Sequence, residues 1–372
     1  MDLSEVTFFD LFSGIGGFRL GLERVGFKCV GYCDNDQYAN KLYREYFNTG
    51  EELFFEDVRN IREGELPDFD ILCAGFPCQS FSIAGRRLGF EDTRGTMFFE
   101  VARILRDKRP RYFILENVKG ILSHESGKTF QTILKILSDI GYCVEWQLLN
   151  SKCFGVPQNR ERVYIVGYYG GECAGKIFPI RGGDSENISK IRKHPINPKN
   201  AHQGSRVYSP DGIGSCLVAN GGSGKTGLYC INKPRFNKYK QSDIVETLKV
   251  GGDTPLMKIR NGTKKGYDEA VPGDGINLAF PRSKTRRGRV GRGCSQTLDT
   301  SCNMGTIDNC RIRRLTPLEC FRLQGFPDEM VKKAYEIKIS DAQLYKMAGN
   351  AVTVNVVEEI GRKLCEVIHA GT

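Results

Sequence analysis

The sequence predicts an α/β protein with a doubly wound, mainly parallel sheet and a second, smaller domain of loops and short strands. Residues 1–168 alternate β-rich runs with helical patterns, which is typical of such a sheet. After Gly170 the helical periodicity disappears, and 22 of the 43 glycines fall within residues 170–305. Helical patterns return near Arg314. We therefore expect one domain over 1–168 plus 311–372, and the other over 169–310.

The first segment contains ten predicted elements. Strands are predicted at 6–12, 29–34, 69–74, 112–116, 142–150 and 162–169. Helices are predicted at 17–25, 37–47, 96–106 and 128–140. In sheets of this kind ligands bind beyond the carboxyl ends of the strands, so we expect the functional residues at that edge.

The C-terminal segment contains two clear helix signals. In LTPLECFRLQGFP, Thr316 as N-cap, Pro317 at the first helical position and Glu319 at the third predict a capping box. A last helix at 354–368 would carry an apolar face made of Val356, Ile360, Leu364 and Val367. Such a face needs a core, so we expect this helix to return to the first domain.

Net charge is unevenly distributed along the chain. The formal net charge is +10, and residues 168–310 hold 23 Lys and Arg against 12 Asp and Glu, while the remainder is close to neutral. A basic segment of this size favours a nucleic-acid partner, although a merely solvated basic face is the alternative. No apolar run is long enough to span a membrane and the start lacks the features of a signal peptide, so we expect a cytoplasmic protein associated with DNA.

The cysteines and histidines argue against a metal site. The chain has 14 cysteines but no C-x-x-C pair, and only 4 histidines. Free thiols in a reducing compartment are favoured over a disulfide framework.

The segment DLFSGIGG, residues 10–17, predicts a ligand-binding turn between a strand and a helix. Gly14, Gly16 and Gly17 allow tight bending and close approach of a ligand. A purely structural turn is the alternative. Asp34, at the end of the next strand, stands where such folds bind ribose hydroxyls, and Asp57 ends a third short run. By contrast, NGGSGKT at 220–226 lacks the first glycine of a phosphate-binding loop, so no nucleotide triphosphate site is expected there.

The segment AGFPCQSFS, residues 74–82, holds a cysteine directly after a strand and a Gly-Phe-Pro turn. Cys78 would face the ligand crevice as a nucleophile. Glu116 ends another strand, and Arg160 and Arg162 are two residues apart at the start of a further one, so period two sends both to one face. A structural ion pair is an alternative explanation of Glu116 and Arg162, but it would not explain the cysteine.

Six blocks in this order closely resemble the bacterial and phage DNA (cytosine-5)-methyltransferases. The blocks are DLFSGIGGF, GFPCQSFS, ENV, QNRER, RRLTPLECFRLQGFP and MAGNAV. The resemblance implies a Rossmann-like, S-adenosylmethionine-dependent fold with S-adenosylhomocysteine as product, no metal, and double-stranded DNA as substrate. It also implies that the basic segment is the target-recognition domain.

The resemblance implies a role for each matching residue. Cys78 would attack C6 of a flipped-out cytosine, Glu116 would engage N3 and the exocyclic amine, and Arg162 would hold O2 with Arg160 assisting. The residues expected to bind the cofactor are Phe12, Gly14, Gly16, Gly17, Asp34, Asn35, Asp57, Val58, Pro77, Asn350 and Val352. The residues expected to contact DNA are Gln79, Ser80, Arg86, Arg87, Arg286, Arg287 and Arg289.

Three other functions compete with this interpretation. A transfer-RNA methyltransferase would share the motifs, but relatives of that kind have a much reduced recognition segment. An inactive DNA-binding protein would not need Cys78, Glu116 and Arg162, and a nicotinamide oxidoreductase would fit the first turn only. We expect a monomer. The sequence leaves open which DNA sequence is recognised and whether a restriction endonuclease partners the protein.

Overall fold

A computed structural model describes most of the chain outside the predicted recognition segment. The described residues are 6–50, 52–62, 64–77, 97–170, 177–181, 257–271, 273–280, 283, 285–308 and 311–370. The predicted nucleophile and four predicted DNA contacts lie outside the described residues: Cys78, Gln79, Ser80, Arg86 and Arg87. The NGGSGKT segment at 220–226 also lies outside them.

The described residues form two compact units. The first lies within Met1–Leu149, Glu161–Asn232 and Val356–Thr372, and the second within Asn150–Arg160 and Lys233–Asn355. These bounds differ from the predicted domains at 1–168 plus 311–372 and at 169–310, because residues 150–160 and the described part of 311–355 pack in the second unit. The assignment of a catalytic and a recognition role to the predicted domains stays a prediction.

The first unit is built on a seven-stranded sheet. The first eight strands are β1 (Thr7–Leu11), β2 (Lys28–Cys33), β3 (Leu53–Phe55), β4 (Ile71–Gly75), β5 (Tyr112–Val118), β6 (Tyr142–Asn150), β7 (Gln158–Asn159) and β8 (Glu161–Tyr169). All except β7 join the sheet, in the order β3-β2-β1-β4-β5-β8-β6. The pairs from β3 to β5 are parallel and β8 runs antiparallel to β5, which confirms the predicted fold class.

Four helices accompany this sheet. They are α1 (Gly17–Glu23), α2 (Gln37–Phe47), α3 (Met97–Lys108) and α4 (Lys128–Ile140). The predicted helices are confirmed, with end shifts of up to two residues. Apolar faces of α3 and α4 share one buried cluster with the central strands, including Val101, Leu105, Ile133 and Leu115.

The second unit contains short strands and three of the C-terminal helices, while the last helix lies almost wholly in the first unit. Its remaining strands are β9 (Met257–Arg260), β10 (Tyr267–Ala270), β11 (Gly275–Asn277), β12 (Val290–Gly291), β13 (Ser295–Gln296), β14 (Met304–Asp308) and β15 (Arg311–Arg314). A four-stranded antiparallel sheet has the order β12-β11-β14-β15, while β9 pairs with β10 and β13 with β7. The helices of the C-terminal segment are α5 (Pro317–Arg322), α6 (Asp328–Glu336), α7 (Asp341–Asn350) and α8 (Val354–Ala370).

Both C-terminal helix predictions are confirmed. The Thr316 hydroxyl accepts a hydrogen bond from the Glu319 amide, and the Glu319 carboxylate accepts one from the Thr316 amide at 2.8 Å, which completes the capping box. In the first unit, α8 returns to α1. A Cβ added to Gly21 would lie 2.7 Å from the Val357 side chain, and Arg24 pairs with Glu358 at 3.1 Å.

One cysteine is in a disulfide, whereas the sequence predicted free thiols. Eight cysteines of the described residues are free thiols, but Cys143 is disulfide-bonded. Among the residues that the structure describes, no three His, Cys, Asp or Glu side chains cluster as metal ligands would. The helices in the described ranges are all too short or too polar to cross a membrane.

Strand β1 buries an acidic side chain. Asp10 has no exposed surface, and its Oδ2 atom accepts a hydrogen bond from the Tyr43 hydroxyl at 3.4 Å. Its Oδ1 atom finds no hydrogen-bond donor within the described residues. Burial raises the pKa of Asp10 to about 8, against the opposing attraction of Arg19 and with added repulsion from Asp34. The carboxyl group is therefore protonated in the folded protein at neutral pH.

We expect Asp10 to make stability depend on pH. Between its ordinary pKa near 4 and about 8, the folded state holds a proton that the unfolded chain has lost. Raising the pH through this window therefore destabilises the folded state, by at most about 1.4 kcal/mol per pH unit. In Asp10→Asn this contribution is absent. Thermal unfolding from pH 5 to 9 should show wild type losing stability relative to the variant up to about pH 8, and parallel curves would contradict the assignment.

Candidate active site

The directions of the strands gather the predicted residues of the first unit at one sheet edge. Strands β1, β2, β4 and β5 are parallel neighbours, so their carboxyl ends lie at the same edge. Strand β8 runs the opposite way, so its first residues begin there. The edge therefore carries the turn after β1, Asp34 after β2, Pro77 after β4, Glu116 on β5 and Arg162 on β8.

The turn after β1 has the backbone geometry expected of a ligand-binding turn. Phe12, Gly14 and Gly16 have φ angles of 55°, 53° and 82°, and Gly17 begins α1. A Cβ on Gly16 would lie 2.5 Å from a ring carbon of Phe47, so any side chain would clash there. A Cβ on Gly14 would have no neighbouring atom within 4 Å. The backbone at Gly14 is therefore open to approach.

Asp34 fixes this turn to the end of β2. Its Oδ2 atom accepts a hydrogen bond from the Gly14 amide at 2.8 Å, and its Oδ1 atom accepts one from the Asp36 amide at 2.8 Å. The Asn40 side chain donates to the Asp34 carbonyl at 2.7 Å. Asn35 is exposed beside this carboxylate. Asp34 therefore orients the turn, as is expected of a residue that helps to shape a cofactor-binding site.

Asp57 and Val58 follow β3. The Asp57 carboxylate accepts hydrogen bonds from the amide and the guanidinium of Arg59, and these bonds lower its pKa. Val58 is 2% exposed and joins the core, and its predicted contact with the cofactor stays a prediction. The sequence did not predict Arg59 as a partner of Asp57.

The ends of β4 and β5 are tied together just before Cys78. The Asn117 side chain donates a buried hydrogen bond to the Phe76 carbonyl at 2.9 Å, and its own oxygen accepts from the Val118 amide. In the strand register Glu116 lies opposite Gly75. This bond fixes the backbone two residues before Cys78 to the strand that carries Glu116. Pro77 follows as an exposed residue.

Glu116 and Arg162 form an ion pair across β5 and β8. The Glu116 Oε1 and Arg162 Nε atoms are 2.9 Å apart, and the side chains are 10% and 14% exposed. The contact lacks hydrogen-bond alignment, and Oε1 has no other donor in the described part of the chain. Arg162 also donates to the Glu161 carbonyl at 2.8 Å. The ion pair that the sequence offers as a structural alternative to catalysis is therefore present. It places the Glu116 carboxylate, an acceptor, beside the Arg162 guanidinium, which has several donors, at the sheet edge.

Arg160 does not sit with Arg162 on one strand face. Strand β8 begins at Glu161, and Arg160 packs in the second unit with 3% exposure. Its guanidinium donates to the carbonyls of Leu298, Gly349 and Ala351, at 3.5, 3.3 and 2.8 Å. Because the strand begins one residue later, the period-two alternation that predicted a common face with Arg162 does not extend to Arg160. Arg160 clamps the backbone around Asn350, and its predicted assisting role in catalysis stays a prediction.

The segment that Arg160 clamps contains two residues expected to bind the cofactor. Asn350 is the exposed last residue of α7, and Val352 is half-buried two residues later. A Cβ on Gly349 would lie 2.3 Å from the Asp299 carbonyl oxygen, so the backbone passes closely there. Both residues belong to the second unit, and their cofactor role stays a prediction.

A buried polar network, which the sequence analysis missed, supports the same segment. The Ser151 and Thr353 hydroxyls are 2.8 Å apart, and Thr353 donates to the Gln324 side chain at 2.8 Å. Gln324 donates to the Ala348 carbonyl at 2.9 Å. Gln324 and Thr353 are 0% and 1% exposed; Gln324 lies in the block RRLTPLECFRLQGFP, and Thr353 directly follows MAGNAV.

Three of the arginines predicted to contact DNA lie in the described residues, and they have different environments. Arg287 is exposed and Arg286 is half-buried, so both reach solvent. Arg289 is 4% exposed, and its guanidinium donates to the carbonyls of Asn277, Ala279 and Phe280. Burial lowers the pKa of Arg289. The donors of Arg289 are thus bound within the unit, which disfavours the predicted DNA contact.

Comparisons with known proteins identify one family. The profile of the C-5 cytosine-specific DNA methylases matches residues 6–366. The chain is similar to the type II methyltransferase M.HpaII of Haemophilus parainfluenzae, with 36% identity over 97% of this chain and 90% of the relative. It is also similar to the type II methyltransferase M.NgoBI of Neisseria gonorrhoeae, with 37% identity over 96% of this chain and 92% of the relative.

A solved structure shares the fold. It is the putative DNA modification methyltransferase encoded within an Escherichia coli prophage, with a TM-score of 0.57, 19% identity, and coverage of 98% of this chain and 100% of that one.

We expect Arg160→Ala to act mainly on stability. The substitution leaves three buried carbonyls without their charged donor, so the free energy of unfolding should fall by about 2–5 kcal/mol. Arg287→Ala is a matched control, because Arg287 is exposed with a single 3.3 Å bond to the Gly262 carbonyl; its effect should be below about 1 kcal/mol. Denaturant unfolding measures both. An Arg160→Ala variant of wild-type stability that lacks activity would contradict this expectation and support the predicted catalytic role.

Proposed function

The chain belongs to the C-5 cytosine-specific DNA methylases and is a DNA (cytosine-5-)-methyltransferase, and we propose that it methylates C5 of a flipped-out cytosine in a specific short duplex sequence through a covalent bond between Cys78 and C6. One observation supports the proposal most directly. The Glu116–Arg162 pair lies at the same edge of the sheet as the end of β4, and β4 ends three residues before Cys78.

The turn after β1 fits S-adenosylmethionine as the methyl donor. The Gly14 backbone is open, and the Ser13 hydroxyl is buried without a hydrogen-bond partner among described atoms. Asp34 offers a carboxylate beside the turn, and the half-buried Phe12 ring offers an apolar surface for a nucleobase. When bound, the cofactor supplies an electrophilic methyl group. Phe12, Ser13, Gly14 and Asp34 would hold its nucleoside part.

Three side chains would act on the cytosine. The Cys78 thiolate adds to C6, which makes C5 electron-rich enough to accept a methyl group. Glu116 supplies a proton to N3 and accepts a hydrogen bond from the exocyclic amine, and Arg162 donates to O2, so both stabilise charge that develops on the ring. After methylation the C5 hydrogen leaves as a proton and the C6–sulfur bond breaks, which restores aromaticity and frees the thiolate.

The ion pair suits this role because each partner stays able to bind a further group. A guanidinium has five N–H donors, and the described contacts of Arg162 use the Nε group and one Nη group. A carboxylate accepts several hydrogen bonds, so Glu116 retains capacity for the base. The pair also fixes both side chains before the base arrives, which lowers the cost of ordering them.

Recognition of DNA would rest on the segment 169–310. A stacked cytosine is out of reach of the thiol, so it has to leave the duplex, at a cost of a few kcal/mol. The net positive charge of this segment supports binding to phosphates. A transfer-RNA substrate is the alternative, and the size of the basic segment favours DNA. A cognate restriction endonuclease belongs to the context of the type II relatives and is open for this chain.

Bisulfite sequencing of DNA from cells that express the chain tests the proposal. Methylated cytosines should appear within one short sequence, and they should be absent with Cys78→Ser, whose hydroxyl is a far weaker nucleophile. A duplex carrying 5-fluorocytosine at the identified position should then form a complex that resists denaturation, because fluorine cannot leave as a cation. Methylation without such a complex would rule out the covalent route, and methylation of transfer RNA alone would rule out the substrate.

We expect Glu116→Gln to slow methyl transfer by about 10²–10⁴, the usual contribution of acid–base catalysis. Glu161→Gln is the matched control, since Glu161 adjoins Arg162 but pairs with the exposed Lys119 at 3.0 Å. The control should transfer methyl groups within about twofold of wild type. Single-turnover transfer with saturating cofactor measures both. Equal effects in the two variants would remove the catalytic role from Glu116.

A further inference from the structure

The second unit carries one exposed aromatic ring on a strained backbone. Phe280 is 73% exposed, more than any other large hydrophobic side chain among the described residues. Its φ angle is 48°, a left-handed conformation that side chains other than those of Gly, Asn and Asp rarely adopt. An exposed ring gains no burial energy to offset this backbone strain. Strained backbone of this kind is typical of functional sites.

A buried arginine holds the backbone at this ring. Arg289 donates to the Phe280 carbonyl at 2.8 Å and to the Asn277 and Ala279 carbonyls at 3.1 and 3.2 Å. The Ser283 amide donates to the same Phe280 carbonyl at 2.8 Å. Arg289 forms no ion pair with any described residue, so its charge is neutralised by carbonyl dipoles alone. Because these bonds hold the backbone at Phe280, they also fix the direction in which its ring projects.

A second arginine lies beside the ring. The guanidinium carbon of Arg286 is 5.7 Å from the centre of the Phe280 ring, and Arg286 has no ion pair within the described ranges. Residues 285–293, TRRGRVGRG, carry four arginines and no acidic residue. Arg292 pairs with Asp274 at 3.0 Å and Arg289 is buried against carbonyls, so among these four only Arg286 and Arg287 reach solvent without an ion pair within the described residues. Arg286 therefore places beside the ring a positive charge that no described carboxylate neutralises. Duplex DNA combines charged phosphates with flat, apolar base faces. An exposed aromatic ring beside a cation therefore suits DNA as a partner.

We propose that Phe280 inserts into the stacked bases of duplex DNA while Arg286 pairs with an adjacent phosphate. The inference rests on the proposed function for its partner, and it assigns to Phe280 a positioning role in base stacking. A protein partner fits less well, because a stable protein interface buries about 1,200–2,000 Å² and one ring surrounded by charge provides far less. Insertion would open the stack and so assist the departure of the target cytosine.

The left-handed φ angle provides a clean variant. Phe280→Gly removes the ring and suits the backbone, so its melting temperature should equal or exceed that of wild type. Its duplex affinity should fall roughly 5- to 100-fold, as expected for the loss of one base–aromatic stack. Phe280→Tyr keeps a stacking ring and should bind like wild type. Tyr335→Ala, which removes an exposed ring from α6, is the matched control and should bind DNA normally.

The salt dependence separates stacking from charge. Because Phe280 is neutral, Phe280→Gly should leave the slope of log affinity against log salt concentration unchanged. Arg286→Ala should reduce that slope by about one phosphate contact. Fluorescence anisotropy measures both variants, with a duplex that contains the methylated sequence. If the wild type transfers no methyl group, the proposed function fails, and sheared genomic DNA serves as the probe instead.

The insertion is overturned if Phe280→Gly binds within twofold of wild type, or if wild type binds neither duplex. It is also overturned if the variant changes the oligomeric state in sedimentation without changing DNA affinity, because the ring would then bind a second copy of the chain.

Discussion

The reversed direction of β8 is the constraint on which the candidate active site depends. Strand β8 lies beside β5 and runs antiparallel to it, so the beginning of β8 meets the end of β5. Arg162 can therefore pair with Glu116 across the two strands at 2.9 Å. If β8 were parallel, its first residues would lie at the opposite edge, and a carboxylate behind the cysteine turn would lack a cationic partner. The hydrogen bond from Asn117 to Phe76 fixes the same edge from the other side.

The sequence predicted the elements whose ends carry local signals. Helix α4 and strand β6 lie at 128–140 and 142–150 as predicted, because Gly141 ends the helix with a φ angle of 110° and the apolar run resumes directly after it. The capping box of α5 is another local signal. Strands β9 to β15 have two to five residues, and although β9 pairs with β10 and β14 with β15 as neighbours, β11 pairs with β14 and β13 with β7. The immediate sequence of β11 and β13 does not specify these more distant partners.

The candidate site was predictable for residues at strand ends and less so for arginines. Asp34 and Glu116 follow or end apolar runs, and topology alone brings them to one edge. Arg160 and Arg289 were predicted from charge and spacing, yet both are buried and bind three carbonyls each. A guanidinium can bind a phosphate, a base or the backbone, and the sequence does not distinguish these targets. Only the course of the surrounding chain decides which acceptor is near.

The packing of α8 on α1 has a consequence for synthesis and folding. Gly21 is synthesised long before its neighbour Val357, because more than 300 residues separate them along the chain. The first unit therefore cannot complete its core until the whole intervening chain has been made. Contacts between such distant residues are slow to form, since a long loop has to close before they bring any gain. Until α8 arrives, the apolar face of α1 is exposed and is a surface that chaperones could protect.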